Sequence, residues 1–118
     1  MDELIARGIK ADLIIASDFI EHLTDPLQEL DKWKDLLAPK GRLFIYTPGL
    51  LAVPIQRGWQ NAHTFQFIGA TVDMVFRRLG YAPDFVDDRS ISLWKYIGPG
   101  AILPELPHDW RKYVIEHL

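Results

Sequence analysis

Residues 11–49 read ADLIIASDFIEHLTDPLQELDKWKDLLAPKGRLFIYTPG, and this stretch decides the fold. Asp12, Leu13, Ile14, Ile15, Ala16 and Ser17 form an apolar run without a period of two, as expected of a strand covered on both faces in a parallel sheet. The chain then turns polar at Asp18, Glu21 and His22. Asp25 is placed to cap a helix, because its carboxylate can accept a free N–H of the first turn. Pro26 follows where a missing N–H costs nothing, and Gln28 sits where a capping-box partner would. Leu27, Leu30, Trp33, Leu36 and Leu37 then share one broad helical stripe. Pro39 and Gly41 are expected to end that helix. Residues 42–47 form a second strand, with Leu43 and Ile45 alternating against Phe44 and Tyr46. Strand, helix, strand of this length is a βαβ unit with a right-handed crossover. Ligands of open α/β sheets sit at the carboxyl ends of the strands, which here are Ser17-Asp18 and Thr47-Pro48.

The flanking segments extend this plan. Residues 2–8 can form one or two helical turns, with Gly8 as the stop. Residues 70–79 read as a helix: Val72, Val75, Phe76 and Leu79 share a face, Arg77 and Arg78 fill the last turn, and Gly80 ends it. Residues 82–86 and 91–97 are two strands joined by the polar turn Asp87-Asp88-Arg89-Ser90. In the second, Ile91, Leu93, Lys95 and Ile97 alternate with Ser92, Trp94 and Tyr96, and the two aromatic rings suit a core or helix-facing position. The stretch 48–64, PGLLAVPIQRGWQNAHT, is longer than an ordinary connection. It serves either as a substrate lid, with Trp59 and His63 facing an acceptor, or as a flap whose Leu50, Leu51, Val53 and Ile55 close the core. A break with three prolines follows at 98–107. Beyond it Asp109 can cap a short helix carrying Trp110, Tyr113, Val114, His117 and Leu118 on one face. Residues 1–100 therefore form one α/β unit, and 101–118 a Pro-rich segment with a short helix.

Composition narrows the function. The chain has 118 residues, 48% of them hydrophobic and 25% charged, enough for one globular core. A formal net charge of −3 argues against a nucleic-acid surface, which needs a basic field. The absence of cysteine removes disulfides and thiolate metal sites and suits a cytoplasmic location. The first ten residues, MDELIARGIK, lack the apolar core of a signal peptide, and no segment approaches the length of a membrane span.

Three blocks, DLIIASDFIEHLTDP, LLAPKGRLFIYTPG and AHTFQFIGATVDMVFRRLGY, resemble in order and spacing the latter half of a class I S-adenosylmethionine-dependent methyltransferase. The resemblance covers residues 11–97. It implies a partial Rossmann-like methyltransferase sheet of about four strands, two parallel plus a C-terminal antiparallel hairpin, with flanking helices. The strand order would be that of Leu13, Leu43, Ile91 and Phe85. The family's glycine-rich cofactor loop lies upstream of these blocks, and no G-x-G-x-x-G run occurs in this chain. The expectation is therefore a truncated C-terminal portion, not competent alone, of an enzyme that methylates a small-molecule acceptor. Its alternative is a non-catalytic methyltransferase-derived module that self-associates. Lys40 stands where the family has a glycine, at a turn taken as a helix stop, and is expected to be solvated near the helix's negative end. Ile68 stands where the family has a serine or threonine cap.

By the same resemblance Ala16, Ser17 and Asp18 contact the methionine part of S-adenosylmethionine, and His63 matches a histidine on the acceptor side. Glu21, His22 and His63 are the candidates for catalytic proton transfer, and Thr47, Pro48 and Trp59 for acceptor binding. Each has a structural counter-reading: Asp18 and Glu21 as turn caps, His22 as a packing residue, His63 as a hydrogen-bonded one. Quinone-synthesis O-methyltransferases are similar at Asp18, Glu21 and His22, where the run serves a metal. A hydrolase built on a hard divalent ion there is a third reading, but no residue is assigned as a metal ligand. In this order of strands the segment Leu13-Ile14-Ile15 is a flat apolar edge. The chain is expected to cover it as a homo-oligomer, through that edge or the C-terminal helix, or with its first eight residues.

Overall fold

Strands β1 (Ala11–Ser17) and β2 (Leu37–Tyr46) lie side by side and parallel, with Ile14 opposite Leu43, Ile15 opposite Phe44 and Ala16 opposite Ile45. The computed structural model describes residues 1–48, 67, 69–87 and 91–99. Between the two strands the chain makes a 3-10 turn (Ile20–His22), helix α2 (Pro26–Lys32) and a second 3-10 turn (Trp33–Asp35). A short α1 (Asp2–Ala6) precedes β1, and Gly8, at φ 70°, ends its exit turn. Helix α3 (Gly69–Arg78) leads into β3 (Tyr81–Val86) and β4 (Ile91–Tyr96). The sheet order is β1-β2-β4-β3, with β4 antiparallel to both of its neighbours. That is the arrangement expected from the sequence.

The alternation in β2 and β4 explains which face is the core. Leu43, Ile45, Ser92 and Trp94 are buried, whereas Phe44, Leu93 and Lys95 between them are only partly covered. On the buried face, Leu30 of α2, Trp33 and Val72 and Phe76 of α3 join Ala16, Leu43, Ile45, Tyr81 and Trp94 in one cluster. Phe76 stacks on Trp94 with ring centroids 4.9 Å apart and meets the edge of Tyr81 at 5.6 Å. Such aromatic pairs contribute about 1 kcal/mol each beyond their area. Trp94 is therefore a helix-facing core residue, as its place in the alternation implies, and Tyr96 packs at the same cluster's margin.

The start of α2 follows the sequence closely. The Asp25 carboxylate accepts the Gln28 N–H at 3.1 Å, and Pro26 opens the helix. Its end does not. The apolar stripe predicts a helix as far as Leu37, but the helix tightens at Trp33, and Leu37 to Lys40 already belong to β2. Leu36 and Leu37 are buried all the same, because an apolar pair at a helix-strand junction meets the core in either geometry. Leu27, expected on the buried stripe, is exposed. Pro39 and Gly41 are thus strand residues rather than helix stops. At Gly41 the constraint is steric. A Cβ there would sit 2.8 Å from the Ala11 carbonyl oxygen, so only glycine lets β2 pass so close to the start of β1. Lys40 is exposed, but on a strand and away from any helix end.

One expectation about β1 is corrected. Its apolar run implies cover on both faces, yet Leu13 is 52% and Ile15 64% exposed. Among the described residues, helices α2 and α3 cover only the other face, and β1 is the edge of the sheet. Met1 approaches Ile15 and Ser17 at the rim of a cleft, but α1 buries none of its own residues. On the open face Arg42 reaches over to Asp84, with Nε 2.6 Å from the carboxylate. Gly80, at φ 91°, ends α3, and its carbonyl accepts both the Ile97 and Gly98 N–H groups. The expected cap at Ile68, the turn residues 88–90, the loop 49–66 and the tail 100–118 lie outside the described residues.

Tyr81 is wholly buried, and its hydroxyl has no hydrogen-bond partner among the described residues. Burial pushes this phenol above its usual range, with the neighbouring Tyr96 adding to the effect. The folded state thus holds the proton more tightly than the unfolded chain. The stability due to this is complete below about pH 10 and is lost as pH rises through the higher folded value. Alkaline titration followed by tyrosinate absorbance should show one tyrosine that ionises only with unfolding. Tyr81→Phe should remove that late step while shifting the unfolding midpoint to higher pH.

Candidate functional site

The carboxyl ends of β1 and β2 carry the candidate residues that the structure describes. At the end of β1 the chain leaves the sheet through Asp18, the one residue other than glycine with positive φ (49°) among those described. Left-handed backbone costs an ordinary residue roughly 1–2 kcal/mol, and aspartate tolerates it better than most because its short carboxylate can bond locally. Here the Asp18 N–H is held by the Tyr46 carbonyl at 2.9 Å, and the Ser17 hydroxyl lies 3.4 Å from Asp18 Oδ2. Ser17, Asp18 and Phe19 are exposed, while Ala16 beneath them is buried. The next residue, Ile20, is buried and anchors the 3-10 turn; Phe19 lays its ring 5.8 Å from that of Trp33.

That turn carries Glu21 inward. Glu21 is 1% exposed and Thr47 is fully buried, and the Thr47 hydroxyl donates to Glu21 Oε2 at 2.8 Å. The two carboxyl strand ends are thereby tied together across residues far apart in sequence. Glu21 Oε1 is buried with no hydrogen-bond partner among the described residues; His22 Nε2 stands 3.8 Å from it, beyond hydrogen-bond range. The His22 side chain is 41% exposed, so it faces the solvent side of the turn. Pro48, half-buried, follows Thr47.

The candidates therefore separate by position. Ser17, Asp18 and His22 present polar atoms outward, Glu21 and Thr47 face each other inside, and Ala16 forms the floor. Asp18, Glu21 and His22 do not converge: among the described residues no group of three or more His, Asp or Glu side chains is arranged to hold a metal ion. Trp59 and His63 fall in 49–66, outside the described residues. Sequence reasoning singled out both Glu21 and Thr47 but not their contact. A signal was present: parallel pairing brings two carboxyl ends together, and Glu21 sits between apolar Ile20 and Leu23, where a buried carboxylate needs a partner. Besides this corner, a cleft of about 270 Å³ lies beside β1 between Met1, Ile14, Phe19 and Trp33. No described helix is long and apolar enough to cross a membrane.

Removing one partner of a buried pair costs more than removing both. Thr47→Val should destabilise the chain by about 1–3 kcal/mol in urea unfolding, and Thr47→Ser should retain most of the stability. Glu21→Leu combined with Thr47→Val should recover part of the loss.

Comparison with known proteins agrees with this geometry. No curated protein matches the chain. The family model described as "Methyltransferase domain" matches residues 2–96, a span that takes in every described helix and strand. The mixed four-stranded sheet with helices on its buried face is consistent with part of a Rossmann-like methyltransferase fold. On that match this chain belongs to the methyltransferase-domain family and carries a class I methyltransferase-type domain.

Proposed function

We propose that this domain serves methyl transfer from S-adenosylmethionine to a small-molecule acceptor, with Ala16, Ser17 and Asp18 facing the methionine end of the cofactor. The observation that supports this most is Asp18: a left-handed aspartate with an exposed carboxylate at the carboxyl end of β1, where strain of this kind tends to mark a ligand site. Such a carboxylate and the Ser17 hydroxyl can accept hydrogen bonds from an ammonium group. The fit is one-sided. No G-x-G-x-x-G turn occurs in these 118 residues, so this chain supplies one flank of the cofactor site.

When bound, the cofactor supplies a methyl group on a sulfonium, open to in-line attack by a nucleophile. The protein's share is then alignment and exclusion of water. Asp18 and Ser17 would hold the amino-acid end of the cofactor. The Glu21–Thr47 bond sets the spacing of the two strand ends and leaves Glu21 as a positioning residue. His22, partly exposed, and His63 are the groups suited to take a proton from the acceptor; Pro48 and Trp59 belong to the acceptor side. On its own the chain binds the cofactor weakly and does not turn over. A second reading, a non-catalytic module that self-associates, is favoured by a different observation, the exposed Leu13 and Ile15.

Titration with S-adenosylmethionine, followed by amide chemical shifts, tests the proposal. Shifts should concentrate at Ala16, Ser17, Asp18 and Phe19, saturate only in the millimolar range, and vanish in Asp18→Ala. Absence of any change at these amides, or tight binding elsewhere on the chain, would overturn it.

A further inference from the structure

We infer that Phe19 is a positioning residue: its ring, resting on Trp33, holds Asp18 in the left-handed backbone that sets the direction of the Asp18 carboxylate at the end of β1. For the ligand that Asp18 meets, this rests on the methyl-transfer reading; for the contact that fixes Asp18 it rests on geometry alone. The φ and ψ of a residue describe how the two peptide planes beside it are turned. A left-handed residue therefore stays so only if both planes are held. On the amino side of Asp18 the plane is held by the Asp18 N–H, which donates to the Tyr46 carbonyl at 2.9 Å. On the carboxyl side the plane carries the Phe19 N–H and has to be held from Phe19 onward.

Two consecutive side chains supply that hold. Ile20 is buried in the core cluster, but it is a single anchor, about which the backbone before it can still rotate. Phe19, at φ −126° and ψ −50°, adds a second anchor by laying its ring on Trp33, with centroids 5.8 Å apart and planes inclined by 31°. Its carbonyl accepts the His22 N–H at 3.1 Å and closes the 3-10 turn. Trp33 is a firm support. It follows α2 directly, belongs to the core cluster, and is 2% exposed. Its indole N–H has no hydrogen-bond partner among the described residues, so packing places the ring. Phe19 itself is 44% exposed, and so adds less to the core than to the order of its neighbour. A carboxylate ordered in advance loses little further freedom when an ammonium group arrives. Released, Asp18 would relax toward extended backbone, which costs an ordinary residue less.

Nuclear magnetic resonance of the whole chain reads backbone and ligand separately. In the ligand-free protein Asp18 should show the short amide-to-Hα distance of left-handed backbone, and its amide should exchange slowly. Phe19→Ala should stay folded by circular dichroism yet lose both signatures. Phe19→Tyr, which keeps the ring, should retain both. Leu27→Ala, at another exposed apolar position, should change neither. In titration with S-adenosylmethionine, Phe19→Ala should lower the initial slope at Ser17 and Asp18 about tenfold, the factor that matches the cost of left-handed backbone; Phe19→Tyr should restore it. A left-handed, slowly exchanging Asp18 in Phe19→Ala would overturn the inference. So would a weakened cofactor response with Asp18 unchanged, because Phe19 would then touch the ligand itself. Absence of any cofactor response in the unmodified chain would overturn the methyl-transfer reading instead, and the backbone signatures of Asp18, read without cofactor, tell the two failures apart.

Discussion

The parallel alignment of β1 with β2 is the constraint on which the rest depends. Parallel strands end at the same side of a sheet, so Ser17 and Tyr46 come to lie opposite each other. That places Asp18 and Thr47, the residues that follow, on one rim. The Tyr46 carbonyl can then hold the Asp18 N–H, and Thr47 can reach Glu21 after the 3-10 turn. Were the strands antiparallel, these residues would be separated by the length of a strand. The close approach of Gly41 to Ala11 guards the other end of the pairing. A side chain there would push β2 from β1 where the parallel register begins.

The energetics of the sheet are one-sided, and this shapes what the domain can do. Its helix-covered face holds the large buried rings and the aliphatic residues of β2, close-packed against α2 and α3. Burial of this kind is the main favourable contribution in a domain of such size. The opposite face carries Leu13, Ile15, Tyr46 and Phe85 with substantial exposure, more apolar surface than scattered single residues would explain. Among the described residues, the corner at Asp18 lies where the well-packed face, the more exposed face and the outer edge of β1 meet.

Much of this is legible in the sequence, because the signals are local. Asp25 and Pro26 announce the start of α2, Gly80 the end of α3, and alternation in 43–46 and 91–96 the orientation of β2 and β4. Leu36 and Leu37 mislead, since two adjacent leucines satisfy a helical stripe and a strand start equally well. The apolar run of β1 expresses a demand for cover on both faces but cannot say what meets that demand. Gly41 resembles a helix stop; its need to pass Ala11 arises from a contact with a residue far away along the chain. In the site, the strand-end residues are recognisable by position. The Glu21–Thr47 bond is not, because it joins residues 26 apart and depends on a register that no single segment encodes.

The direction of β1 against β2 can be measured directly by interstrand nuclear Overhauser contacts in the labelled protein. The structure requires contacts that advance together: Ile14 near Leu43, Ile15 near Phe44 and Ala16 near Ile45. Contacts that run in opposite senses, Ile14 with Ile45 and Ala16 with Leu43, would contradict the fold and remove the shared rim on which the site stands.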